Sequence, residues 1–300
     1  MGTTVVILIS FSYLLLLFGI AYYSELLAKR RKGIWQNGYV YALSISIYCT
    51  AWTYYGSVGR ASKDGLLFLP IYLGPLLVMP FWWLIMRKIT RICKSQGITT
   101  MADFISARYG KRVSLGIVVT IFCVIGLIPY IALQIKAIAQ SYHLIVYNVF
   151  TLPAKTSATW FDEVFYITLG LGLFTILFGT QSIDASERHQ GLVVAISIEA
   201  IVKLVAFLVV GFYVVSVISN DLPTPTLPKP DFSKSYYTSE WFFVSVASGL
   251  AFMFLPRQFQ VAVIENTHES HLKKVVWFFP VYLLLINIFV LPIALVGNSL

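Results

Sequence analysis

Apolar runs of roughly twenty residues recur about eight times along this chain, and about twenty residues is what an α-helix needs to cross a bilayer. The stretches between the runs are too short for a water-soluble domain. Hydrophobic residues make up 58% of the chain and charged residues 12%, and the mean hydropathy is +0.79. Those values leave an all-α polytopic membrane protein as the fold class. A β-barrel would show short alternating segments instead. The chain stops at Val296-Gly297-Asn298-Ser299-Leu300, at a span's exit, and so reads as a piece of a larger protein.

The predicted spans are 4–24, 39–59, 65–87, 114–138, 164–180, 190–217, 241–261 and 275–297. The first has no basic segment before it and no small-residue cleavage site after it, so it is a retained helix rather than a signal peptide. Basic residues set the orientation. Lys29, Arg30, Arg31 and Lys32 follow span one. Arg87, Lys88, Arg91, Lys94, Arg108, Lys111 and Arg112 lie between spans three and four, and Lys273 and Lys274 between seven and eight. These loops share one side, which the positive-inside rule makes cytoplasmic, with the N-terminus outside. The net charge of +9 is then explained by loops lying against anionic lipid, with no nucleic-acid partner. Cys49, Cys93 and Cys123 are unevenly spaced and form neither a disulfide framework nor a zinc site.

Some local features are also legible. Thr100-Met101-Ala102-Asp103 predicts a capped helix start, with the helix running to Tyr109 and ending at Gly110. The proline-rich loop 221–230 predicts extended chain. Trp35, Trp160 and Trp241 fall near predicted interfaces, as an aromatic belt. His268 and His271 stand beside Glu265 and Glu269, a spacing read as a solvated polar loop rather than a metal site.

Polarity inside the spans points to function. Glu199 and Lys203 are four apart on one face of span six, acid before base. A charge at the bilayer centre costs roughly 2.5–3.5 kcal/mol on insertion scales. The pair fits both a self-neutralising brace and an ion or proton site. Span two carries Ser44, Ser46, Tyr48, Cys49, Thr50, Trp52, Thr53, Tyr54, Tyr55, Gly56, Ser57 and Gly59, as expected of an interior helix or one broken around a ligand. Span seven has Gly249 and then Pro256 as its helix break. Interrupted helices in matching positions of two halves point to a transporter's binding site. A small solute would sit near Tyr48, Trp52, Tyr55 and Gly56. No phosphate-binding loop, kinase motif or nucleophile triad is present, so the chain itself reads as non-catalytic.

Several stretches carry a resemblance. Gly97-Ile-Thr-Thr-Met-Ala-Asp-Phe-Ile-Ser-Ala-Arg-Tyr-Gly110 resembles the T-x-A-D-F-x-x-x-R-Y-G motif of sodium/solute symporters. Gly179-Thr-Gln-Ser-Ile-Asp-Ala-Ser-Glu-Arg-His-Gln190 is similar to that family's loop before its sixth helix. Leu127–Ala139, Ile198–Phe207 and Phe254–Asn266 resemble the symporter-like membrane domain of bacterial sensor histidine kinases.

The resemblance implies a LeuT-type inverted-repeat fold. Residues 1–38 would be an accessory helix and basic loop, 39–217 a first five-helix repeat, and 241–300 the start of a second repeat. It implies an amino-acid-like solute, with sodium or a proton as coupling ion and no other cofactor. The implied partners are a downstream kinase domain and a response regulator, and the implied compartment is the bacterial inner membrane. The carbonyls of Ser46 and Cys49 would be this chain's half of a sodium site. Proline-type members carry an acid where this chain has Tyr48. In some relatives of this architecture a lysine amine from the fifth core helix takes sodium's place. Lys203, partnered by Glu199, would stand there. A stand-alone secondary transporter, coupled to sodium or protons, is the alternative.

Overall fold

A computed structural model describes residues 3–29, 37–147, 165–166, 168–173, 190–218 and 235–299. The described residues are helical or irregular, and none is in a strand. The helices are α1 (Thr3–Lys29), α2 (Gly38–Ser44), α3 (Ser57–Asp64), α4 (Pro70–Gln96), α5 (Met101–Arg108), α6 (Val113–Tyr147), α7 (Gln190–Tyr213), α8 (Ser235–Phe254), α9 (Pro256–Phe259), α10 (Glu269–Asn287) and α11 (Val290–Ser299). Among the described residues, five helical segments are long and apolar enough to cross a membrane, and a sixth is if the bent α8–α9 pair counts as one span. The protein is a multi-pass helical membrane protein. Most of span 164–180, the motif 179–189, the loop 221–230, Trp35 and Trp160 lie outside the described residues.

The chain forms two compact units. One holds residues 1–19 and 105–187, with α6 as its long element. At 35 residues, α6 is about 52 Å long, well beyond a hydrocarbon core of about 30 Å. The helix thus runs past the predicted span 114–138, with Ala139 to Tyr147 continuing it. The other unit holds residues 20–104 and 188–300, including α2 to α4 and α7 to α11.

Local chemistry explains several ends. Asp103 N donates to Thr100 Oγ1 at 3.0 Å, the expected cap of α5. Lys111 N donates to Ser106 O, with Gly110 at φ 74° closing that helix as predicted. Helix α4 ends at Gly97, φ 64°, with Ile98 N donating to Cys93 O, a left-handed stop that glycine takes without a Cβ penalty. The first turn of α7 is held by Glu25, whose Oε2 accepts from Gly191 N at 2.9 Å. A carboxylate there meets the positive end of the helix dipole.

The core of the second unit is aromatic. Phe252 and Phe279 stack at 4.8 Å, and Tyr48 meets both edge-on. Trp82 lies 6.1 Å from Phe252. Trp82, Phe252 and Phe279 are fully buried. This cluster ties the second span to α4, α8 and α10. Pro75 lies inside α4 and cannot donate to the carbonyl four residues back, which is that of Ile71. Tyr48 Oη supplies the missing donor at 2.9 Å. Tyr48→Phe is expected to cost about 1 kcal/mol, the low end of the penalty for an unsatisfied acceptor, because this one is only part-buried. Chemical unfolding in detergent checks it, and a change below about 0.3 kcal/mol would contradict the assignment.

Polar contacts fasten both ends of the unit. Arg91 donates twice to Glu269, at 2.7 and 2.8 Å, and Arg87 once at 3.1 Å, linking α4 to α10. At the other end Arg60 donates to Glu240 at 2.6 Å, and Asn298 Nδ2 to Ser62 O at 2.8 Å.

Candidate functional site at the broken span

Span two is not one helix. Helix α2 tightens into a 3-10 turn over Ile45–Tyr48 and stops at Cys49 and Thr50. The chain then restarts as a π-turn over Trp52–Gly56 and continues as α3. The sequence shows why. Tyr41 to Ser57 mixes aromatic, β-branched and hydroxyl residues that favour a continuous helix weakly. Ser46 Oγ also turns back to donate to Leu43 O.

A stopped helix leaves its last carbonyls without partners, and they carry partial negative charge. Here side chains from other helices supply donors. Gln258 Nε2 of α9 donates to Ile45 O at 3.1 Å. Cys49 N donates back to Ser46 O at 2.8 Å. Lys203 Nζ of α7 donates to Cys49 O at 3.3 Å. The same ammonium pairs with Glu199 Oε1 at 2.6 Å. A cation thus sits at the negative end of a half-helix, held by its own carboxylate. Tyr282 Oη of α10 donates to Ala200 O at 3.0 Å, within the turn that carries that pair. Ser197 Oγ lies 2.7 Å from the carbonyls of both Val40 and Val193, and donates to one at a time.

The sequence-predicted residues separate into groups. Ser46, Cys49, Glu199 and Lys203 come together at the break, with Lys203 at the Cys49 carbonyl. Trp52 and Gly56 also meet: a Cβ on Gly56 would collide with the Trp52 ring, so only glycine lets that indole lie along the π-turn. Trp52 is exposed and Tyr55 half-buried. Tyr48 points elsewhere, into the aromatic core.

Span seven bends by 46° at Leu255–Pro256, where Pro256 was expected to break it. Two expectations are corrected. Gly249 is no break: it lies inside α8, where it packs against Gly74 and Val78 of α4. His271 is buried rather than solvated, 5.8 Å ring to ring from Tyr41. Among the described residues no three His, Cys, Asp or Glu side chains group to hold a metal.

Gln258 and Tyr282 were not singled out in the sequence. A glutamine two residues after Pro256, just past the expected break, is a visible signal for the first. Tyr282 sits among aliphatic residues with no comparable mark. No family model, curated protein or solved structure matches this chain.

Proposed function

We propose that this chain is a membrane domain that binds a small amino-acid-like solute at the break in span two. On this reading it is the input domain of a bacterial sensor histidine kinase. Its architecture would be the LeuT-type symporter fold, set in the inner membrane with the N-terminus outside. The observation that carries the reading is the Lys203 ammonium at the Cys49 carbonyl of a stopped half-helix. Broken helices with charged groups at their ends are how membrane proteins make polar ligand sites in hydrocarbon.

Trp52 and Tyr55, beside the break, would bound the solute's side chain. Free backbone groups of the π-turn would meet its ionic ends. Lys203 would stand where a coupling cation otherwise binds, with Glu199 tuning it. Binding would then not require sodium.

Trp52→Ala in the full-length protein is expected to weaken solute affinity about tenfold, the scale of losing one aromatic anchor, while the protein still inserts. A panel of the twenty common L-amino acids, read by equilibrium binding to purified protein, tests this. Unchanged affinity in Trp52→Ala would remove that residue from the site. Uptake of the bound amino acid into vesicles against its gradient would instead indicate a stand-alone transporter.

A further inference from the structure

Helices α4 and α8 touch where Gly74 meets Ser245, Ser248 and Gly249. Beside that contact runs a groove of about 420 Å³, lined by Leu77, Phe81, Ile85, Val246 and Leu250 among others. Leu77, Phe81 and Leu250 are more than half exposed. From Gly74 to Ile85 the groove follows α4 for about 16 Å at 1.5 Å per residue. That is the depth of one leaflet, half of a core of about 30 Å. A neighbouring transmembrane helix would need twice the length.

Positions 74, 77, 78, 81 and 85 share one stripe of α4, and Lys88 continues it within the same arc of about 100°. Lys88 is exposed. Its basic neighbours are engaged: Arg87 and Arg91 hold Glu269, Lys273 lies over the Trp83 ring, and Lys274 lies over Tyr39. Among the described residues Lys88 has no carboxylate within ion-pair distance.

We infer that this groove holds one acyl chain of an anionic phospholipid, with the lipid's phosphate on Lys88. The apolar slot, its one-leaflet length and the cation at its basic end match the two parts of such a lipid. The end carrying Arg87, Lys88 and Arg91 faces the cytoplasm by the positive-inside rule, and the lipid comes from that leaflet. The inference rests on the membrane orientation proposed above but not on the solute site. Because α8 leads into the break at Pro256, a lipid wedged against it would couple membrane composition to that break.

Native mass spectrometry of the full-length protein, titrated with phosphatidylglycerol or phosphatidylethanolamine, tests this. The wild type is expected to keep phosphatidylglycerol about fivefold better, the scale of one lysine at an anionic headgroup. Lys88→Gln should erase that preference. Val246→Trp, which fills the groove, should release both lipids. Glycerol 3-phosphate alone should not compete, since it lacks the tail. Equal retention of the two lipids by the wild type would overturn the inference. So would full preference in Lys88→Gln, or a wild-type dimer that Val246→Trp dissociates, which would put a second copy in the groove. Loss of solute binding with lipid preference intact would count against the solute site alone.

Discussion

Lys203→Met lowers the stability of the protein, and adding Glu199→Gln restores part of the loss. The single change strips the ammonium from two acceptors at once: the Glu199 carboxylate 2.6 Å away and the Cys49 carbonyl 3.3 Å away. Breaking a buried ion pair costs about 3–5 kcal/mol because the remaining charge has no partner. Here the side chains of Lys203 and Glu199 are 26% and 37% exposed, so the lower end, about 3 kcal/mol, is expected after discounting for solvent screening. Glu199→Gln removes the stranded charge. Only the uncapped carbonyl then remains, worth about 1–3 kcal/mol. A double-mutant cycle on chemical unfolding should give a coupling above about 1 kcal/mol. Additive losses would mean that the pair is not formed.

Gly74→Val should be nearly as damaging, and for a steric reason. A Cβ at Gly74 would land on the carbonyl oxygen of Ser245 and the hydroxyl of Ser248, with Gly249 N at 2.6 Å. Two of those three atoms are backbone of α8 and cannot swing aside. Helices in lipid associate through close packing, since burial against hydrocarbon gains little. Forcing α4 and α8 apart therefore removes most of what joins them there. The shift also strains the bond from Ser248 Oγ to Pro70 O, 3.0 Å long. Overpacking and a lost hydrogen bond together give about 3 kcal/mol. Gly126→Ala is the control, because nothing lies within 4 Å of a Cβ there. Chemical unfolding of both variants should show a large loss for the first and little change or a slight gain for the second. Comparable effects would contradict the close approach.

The sequence exposed the site unevenly. Bilayer-length apolar runs placed α1, α4, α7 and α10, because the signal is composition summed over twenty residues. The Glu199–Lys203 pair was legible for a different reason: helical spacing alone puts both on one face. What Lys203 reaches was not legible, since Cys49 lies 154 positions away. The polarity of span two announced an interruption, but whether it was a ligand-free packing helix or a true break depended on which neighbours could supply donors. Tyr48 illustrates the limit. It looked like part of a ligand ring, yet Pro75 frees a carbonyl that its hydroxyl fills. Gly249, expected with Pro256 as the break of span seven, is not a break. In α8 its value is the missing side chain, which lets α4 approach.

On the proposed function, Lys203 holds a cation position at a solute site in the broken span. The most direct measurement is thermal unfolding of the full-length protein in nanodiscs, with and without sodium, against the twenty common L-amino acids. A ligand at a hundred times its dissociation constant stabilises by about 2.7 kcal/mol, which is easily read. At least one amino acid is expected to raise the wild-type midpoint equally in sodium and in potassium. Lys203→Met should make that rise depend on sodium. A wild-type response that already requires sodium, or no response to any amino acid, would contradict the proposed function.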